Sequence, residues 1–466
     1  MAVVREQAGL GLAYDSGKSE LRVAAAAQNK SLPIHRWVPW IAGFSAQFVE
    51  DAIEAYLPKQ RRSRQVVLDP FAGVGTTLIE ALKAGCDTVG YEINAFAELA
   101  TQAKLSSVDV LPAAFRNHIN VFRSAMVSFE KEIDRRWRET GHEGISEVLR
   151  TLSAASPSGF RSRIPFFSPP IEAKFLYALG QASSFREPSH TLFRAALGAT
   201  MISFSNYSYE PSLSTRPGAG KALIENSSVM LPVCQKLDTM LEDIQWARAN
   251  YGDTWRRRRR EIILGSYFGS KLRSKTVSLL ITSPPYMNNY HYVRNTRPQL
   301  YWLGLIQQPE DLRSYEEESF GKFWQTVRQR KAIDLEFDLS SLALLVNRLR
   351  ALNVERGPYG GPGWANYVVS YFNDCNQFLQ TVSRQLRPGA RAVIVVGNSI
   401  IQGIEFKVDQ LLAELAERRG LAVEEVRLVR AKRVGNSIIG SSVRNGGGGG
   451  LPAKTQLYDA AVILRA

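Results

Sequence analysis

Residues 66–94 read VVLDPFAGVGTTLIEALKAGCDTVGYEIN. Val66, Val67 and Leu68 are consecutive apolar residues, two of them β-branched, and predict a short buried strand. Gly73 and Gly75 follow in a tight turn, where the absence of a Cβ lets the backbone bend sharply and approach a ligand. Apolar spacing then predicts a helix over Thr76 to Ala84, ended by Gly85, and DTVGYEI predicts a second strand. Strand, glycine turn, helix and strand form the repeating unit of a parallel, doubly wound sheet. The fold class predicted is therefore α/β.

The same stretch carries chemistry. Asp69 ends the first strand and Glu92 ends the second. Phosphate-binding turns seldom hold a carboxylate at the strand end, because it repels the anion, and the Gly-Lys-Ser/Thr sequence of such turns is absent here. A ligand with an ammonium group suits Asp69 better, and a carboxylate at Glu92 can accept both hydroxyls of a ribose. A glycine turn alone is only a turn; an acid at each strand end makes it a nucleoside site. The candidate cofactor residues here are Asp69, Pro70, Phe71, Gly73, Gly75, Thr76, Thr77, Glu92 and Asn94.

A second segment, VSLLITSPPY at 277–286, is an apolar strand running into Ser283-Pro284-Pro285-Tyr286. With the Asp69–Thr77 turn, this tetrapeptide resembles the catalytic and cofactor motifs of S-adenosylmethionine-dependent DNA amino-methyltransferases, the N4-cytosine/N6-adenine family. The resemblance implies a Rossmann-like methyltransferase sheet with a mostly helical inserted domain. HRWVPWIAGFS at 35–45 is similar to the motif that precedes the cofactor turn in one branch of the family. By that likeness Phe44 packs near S-adenosyl-L-methionine and Ser45 contacts its methionine end. Family members often hold the adenine amino group with an Asp after the third strand; this chain has Ser266 there.

An exocyclic amine conjugated with its ring is a poor nucleophile and needs acceptors for its hydrogens. Ser283 Oγ and the Pro284 carbonyl can supply them, two prolines stiffen the loop, and Tyr286 offers a face for an extruded base. A serine opening the tetrapeptide is most typical of cytosine-N4 enzymes, with adenine N6 the alternative. Methylation at cytosine C5 needs a cysteine nucleophile, usually after proline, and none of Cys86, Cys234 or Cys375 follows one. Cofactor motif, long insertion, then catalytic motif is the order in which target recognition lies between the halves. A cognate restriction nuclease is the partner this family setting allows.

Away from the motifs, 466 residues suffice for more than one domain, and a formal charge of +14 suits a polyanionic partner, double-stranded DNA. The expected division is a lead-in at 1–32, the cofactor half at 33–105, and an inserted target-recognition region at 106–260. The catalytic half follows at 261–466, with an irregular charged stretch at about 306–362. Arg256, Arg257 and Arg258, within the run to Arg260, could track phosphates, or could be a solvated face. Asn288, Tyr290 and Arg294 crowd the loop after the tetrapeptide and are candidate contacts to the extruded nucleotide. His291 lies there too, but a catalytic base is not essential. Residues 202–221, rich in Gly, Pro and Tyr, suit groove contacts or an ordinary surface loop alike. Sparse cysteine, no Cys/His cluster, no secretory start and no membrane-length apolar run predict a cytoplasmic protein without structural metal. Three alternatives stay open: an RNA guanine-N2 methyltransferase, a non-catalytic cofactor- and DNA-binding subunit, and a small-molecule methyltransferase.

Overall fold

The computed structural model describes residues 29–40, 43, 45–58, 64–209, 213–288, 292–431 and 457–466. Its strands are β1 (Val66–Asp69), β2 (Asp87–Glu92), β3 (Tyr207–Tyr209), β4 (Leu213–Thr215), β5 (Arg260–Leu264), β6 (Val277–Thr282), β7 (Leu386–Gly397), β8 (Ser399–Ile401), β9 (Ile404–Phe406), β10 (Ala422–Ala431) and β11 (Tyr458–Arg465). Helices α1 (Ala46–Tyr56), α2 (Thr76–Lys83) and α3 (Ala95–Ser106) belong to the first half of the core. The insertion contributes α4 (Pro112–Thr151), α5 (Pro169–Ser183), α6 (Ser189–Thr200), α7 (Met230–Tyr251) and α8 (Asp253–Arg256). After β6 come α9 (Tyr292–Trp302), α10 (Pro309–Glu318), α11 (Trp324–Val327), α12 (Ser340–Arg350), α13 (Gly361–Gln385) and α14 (Val408–Arg418).

Seven strands form one sheet in the order β10-β11-β7-β6-β1-β2-β5. Neighbours from β7 to β5 pair in parallel, whereas β11 runs antiparallel between β7 and β10. From β1 the chain winds outward to β2 and β5, then crosses to β6 and β7 on the other side. That places the switch in winding direction between β1 and β6, and ligands in such sheets bind beyond the carboxyl ends of strands at that point. This is a Rossmann-like, doubly wound sheet, and the helices between α3 and β5 form a mostly helical insertion.

Alternation along the strands divides the core. Val67, Leu279, Ile281, Val393 and Val395 face α1, where Phe48, Val49 and Ala52 pack. Leu68, Val89, Leu280, Ile394 and Val396 face α12, α13 and α14 on the opposite side. The inserted helices pack into the cofactor half: Phe115, Phe122, Phe175 and Phe193 share one apolar cluster with Leu78, Phe96 and Leu300. Local signals explain the ends. Ser45 Oγ accepts the Phe48 N–H at 3.1 Å and starts α1, Gly85 leaves α2 at φ 73°, and Asn94 Oδ1 caps α3 by accepting from Phe96 and Ala97. The 40-residue α4 is broken at Gly141, whose φ of 57° is outside the helical region.

The structure differs from the sequence reading in two stretches. Residues 306–362, expected to be irregular, hold α10, α11 and α12, the first with a capping box between Gln308 and Asp311. Within the stretch 202–221, read as a loop, residues 207–209 and 213–215 pair as the antiparallel strands β3 and β4. No described helix is long and apolar enough to cross a membrane.

Candidate active site

A cleft opens at the carboxyl ends of four parallel strands. It is lined by Pro70, Phe71 and Gly73 after β1, Glu92, Ile93 and Asn94 after β2, Gly265–Phe268 after β5, and Ser283, Pro285 and Tyr286 after β6. The two motifs, more than 200 residues apart in sequence, thus meet because β1 and β6 are neighbours.

Glu92 anchors one wall. Its Oε2 accepts the Gly73 N–H at 2.8 Å and its Oε1 accepts the Asn94 N–H at 2.8 Å. A carboxylate offers about four lone-pair positions, so it can take a further donor. Desolvation pushes this carboxyl up to about 7; the backbone donors Asn94, Gly73 and Ile93 oppose the rise and nearby Asp69 adds to it. Gly73 has φ 53°, and a Cβ there would lie 3.3 Å from Trp40 Nε1, so its backbone and the indole approach as closely as the turn permits. Gly75, at φ 79°, serves packing: a Cβ would meet Thr101 Cγ2 at 2.8 Å.

Asp69 departs from the sequence reading. It is 2% exposed and does not line the cleft. Its Oδ1 accepts the Phe71 N–H at 3.0 Å and the Thr282 hydroxyl at 2.6 Å. It therefore ties the cofactor turn to the residue preceding Ser283 instead of facing a ligand ammonium. Burial raises its carboxyl to about 6, with those hydrogen bonds opposing.

The catalytic loop is held from behind. Ser283 Oγ donates to the Val395 carbonyl at 3.2 Å, which directs its lone pairs elsewhere. Pro284 is buried and Pro285 faces the cleft. The Tyr286 ring lies against Gly397, where a Cβ would come within 3.1 Å of it. Ser399 Oγ donates to the Met287 carbonyl at 2.5 Å, fixing the loop's far side.

Three contributions escaped the sequence reading. Thr101 Oγ1 donates to the Gly73 carbonyl at 2.8 Å and Lys104 Nζ to the Val74 carbonyl at 2.7 Å, so α3 braces the glycine turn. Lys104 is 1% exposed, and burial, with Lys236 nearby, lowers its ammonium to about 7. Second, Glu316 and Ser319 to Phe323 wall the cleft opposite the sheet. Phe320 packs edge-on to Phe71 at 5.0 Å, and the Gly321 N–H donates to Asp374 Oδ2 at 2.8 Å. An aromatic pair around Gly-Lys inside an acidic stretch was the available signal. Third, Asp243 on α7 accepts from Ile34 N, Trp37 Nε1 and Arg36 Nη2 at 2.8, 2.8 and 2.6 Å, pinning the segment that carries Trp40.

The remaining candidates divide between the cleft and other places. Ser45 is buried as the α1 cap, and Thr76 and Thr77 are buried in the first turn of α2. Asn94 lines the cleft while its Nδ2 donates to Thr296 Oγ1 at 2.7 Å, and Ser266 lines it while accepting from Phe268 N. Asn288 and Arg294 are exposed beside the catalytic loop. Phe44, Tyr290 and His291 lie outside the described residues. The arginine run enters the amino end of β5, where Arg260 pairs with Thr88, whereas the cleft is at Leu264 and Glu92. Five strand residues span about 15 Å, so Arg256, Arg257 and Arg258 sit at the far end of the sheet from Ser283. Arg259 and Arg260 are further engaged by Glu261 and Asp109.

Comparison with known proteins agrees with this geometry. The N6/N4 methyltransferase family, described as DNA methylase, matches residues 26–102. The chain is 25% identical over 446 residues to the type II methyltransferase M.BsoBI of Geobacillus stearothermophilus, covering 88% of this chain and 82% of that one. It is 24% identical over 427 residues to the type II methyltransferase M.AvaI of a Nostoc species, covering 88% and 83%. The solved rRNA methyltransferase aviRa from Streptomyces viridochromogenes covers 96% of each chain at 9% identity with a TM-score of 0.29, a likeness too slight to argue from.

Proposed function

We propose that this chain, an amino-methyltransferase of the N6/N4 family, methylates the exocyclic amino group of a base swung out of duplex DNA, cytosine N4 before adenine N6. The observation that carries the reading is Ser283. With its proton on the Val395 carbonyl, its oxygen is left to accept from an amino group in the cleft. Accepting an amine hydrogen draws the nitrogen lone pair out of conjugation, which is what this nucleophile requires. The Pro284 carbonyl is the second acceptor, and Tyr286, backed by Gly397, stacks on the base. A paired, stacked base cannot bring its amino group to such a loop, so extrusion belongs to the proposal. The choice of cytosine rests on the serine that opens the tetrapeptide.

The residues present fit S-adenosyl-L-methionine as cofactor. Glu92 can take a further donor, the Gly73 backbone is bare of a Cβ, and Phe71, Ile93, Phe268 and Phe320 give apolar walls for a flat ring. When bound, the cofactor supplies an electrophilic methyl group on a sulfonium. Glu92 would hold the ribose hydroxyls, and Ser266 and its neighbours the adenine edge. Asp69, through Thr282, keeps that turn and the catalytic loop in one relation. The proton of the methylated nitrogen leaves to water, so no dedicated base is assigned. A nuclease of matching target sequence is the proposed partner in a restriction–modification setting.

Transfer of a radiolabelled methyl group to duplex DNA and to transfer RNA, run side by side, tests the substrate class. Label in DNA supports the reading, and label confined to RNA overturns it.

A further inference from the structure

The two faces of the sheet bring different material to the rim of the cleft. The insertion packs with α2 and α3 on one face, and α12, α13 and α14 cover the other. Helix α13 runs back into β7, which is parallel to β6, so its amino end stands at the cleft's end of the sheet. A duplex that delivers a base to the cleft lies across this rim and meets both faces.

At the amino end of α13 an aromatic stack leads outward from the cleft. Phe323 and Tyr367 line the cleft itself. Trp364, a turn before Tyr367, meets it edge-on at 5.8 Å and stacks on Trp324 at 4.5 Å. Exposed Tyr359 stands edge-on to Trp324 at 5.8 Å. The Arg328 guanidinium fills the corner between these last two rings, 4.5 Å from the Trp324 centroid and 4.4 Å from that of Tyr359.

Packing alone does not account for an arginine there. Its Nε is buried without a hydrogen-bond partner, a cost that an apolar side chain in the same corner would avoid. No carboxylate pairs with it among the described residues, and its terminal nitrogens are not buried. The loop that carries it is also fixed. Buried Asn366 on α13 donates from Nδ2 to the Arg330 and Lys331 carbonyls at 3.0 and 3.3 Å, and its Oδ1 accepts the Ile333 N–H at 2.9 Å. Arg330 and Lys331 are exposed on that loop, again with no acidic partner among the described residues. A free surface arginine gives up side-chain freedom when it takes an anion; Arg328 has already given it up to the two rings.

We propose that Arg328, ordered by Trp324 and Tyr359 and flanked by Arg330 and Lys331, is a phosphate-binding site that grips the DNA backbone from the side of the cleft opposite the insertion. An ordered guanidinium with accessible terminal nitrogens matches two oxygens of one phosphate, and such contacts fix the duplex in place without reading its sequence. The inference rests on the DNA reading above and deepens it by assigning a backbone contact to the catalytic half.

Binding of a random-sequence duplex, followed by fluorescence anisotropy in rising salt, tests the site. Arg328→Gln, Arg330→Gln and Lys331→Gln combined should lower the slope of log affinity against log salt by about 2 to 3, since each phosphate contact contributes about 0.9. Arg256→Gln with Arg257→Gln, exposed at the far end of the sheet, should leave the slope unchanged. Arg328→Lys keeps the charge and loses the planar group that the rings hold, so it should keep most of the slope and bind several-fold more weakly. All variants should retain S-adenosylmethionine affinity within about twofold, which reports an intact fold, and should methylate the same sites on plasmid DNA as wild type. A wild-type slope in the triple variant, or an equal drop in the 256/257 variant, overturns the assignment while leaving the DNA reading intact. Wild-type affinity in Arg328→Lys overturns the role given to the two rings. Wild-type protein that methylates no DNA overturns both the site and the reading it rests on.

Discussion

Glu92 makes the cofactor reading quantitative. Its carboxyl is half-buried in the cleft wall, is pushed up to about 7 by desolvation, and can take a further donor beyond its backbone partners. Ribose hydroxyls donate hydrogens, so they favour the ionised carboxylate. The apparent dissociation constant should then scale as the inverse of the ionised fraction: about elevenfold above its limit at pH 6, about twofold at pH 7 and near the limit at pH 8. Calorimetric titration with S-adenosylmethionine should show affinity rising about tenfold from pH 6 to 8. About half a proton should be released on binding at pH 7, read from buffers of different ionisation enthalpy. Glu92→Gln should bind more weakly and lose that pH dependence; the ligand's own ionisation is common to both proteins and cancels. The same group sets a stability window. Because its folded value lies above the ordinary 4.5, its contribution is fully present below pH 4.5 and is lost as pH rises through 7. The loss is about 3 kcal/mol at 1.36 kcal/mol per unit, and urea melts of the free protein should follow it in wild type and not in Glu92→Gln. Identical pH profiles for wild type and Glu92→Gln in both experiments would refute the reasoning.

Other perturbations isolate other parts. Ser283→Ala should slow single-turnover methyl transfer by about 100-fold or more with cofactor affinity unchanged; a wild-type rate in quench-flow would remove the acceptor role. Phe320→Ala should weaken cofactor binding several-fold by opening the wall over Phe71, which equilibrium dialysis checks, and unchanged binding would take the 316–323 segment out of the site. Gly75→Ala puts a methyl 2.8 Å from Thr101 at φ 79°, so about 2–3 kcal/mol of stability should be lost in thermal melts. Lys104→Met should gain stability below pH 7, where the buried ammonium is charged. The gain should shrink as pH rises from about 7 toward 10.5, and cofactor binding should weaken because the Val74 carbonyl loses its donor; a pH-independent stability difference in urea melts would contradict this.

The elements readable from sequence were those whose signals are local. A strand-turn-helix-strand unit with glycines at the turn, a serine cap before α1, and an apolar strand ending in Ser-Pro-Pro-Tyr each declare themselves within a few residues. What the sequence hid was set by tertiary contact. Lys104 and Thr101 sit on an ordinary helical pattern, and only the packing of α3 behind the turn turns them toward two carbonyls. Asp69 reads as a ligand group until β6 brings Thr282 to it. Strands β3 and β4 are three residues each, too short for a period to appear among Gly, Pro and Ser. For the arginine run the sequence left two roles open, a phosphate track and a solvated face, but its place in the fold was legible. Residues that lead into a parallel strand lie at its amino end, opposite the site, and strand direction alone would have placed them there.

The most direct test of the central claim is the chemical identity of the product. Duplex DNA incubated with the protein and S-adenosylmethionine carrying a deuterated methyl group is digested to nucleosides and resolved by mass. The account predicts label in N4-methyldeoxycytidine that vanishes with Ser283→Ala, and label in N6-methyldeoxyadenosine would move the target base while keeping the mechanism. Label in 5-methyldeoxycytidine, or in no deoxynucleoside at all, would contradict it.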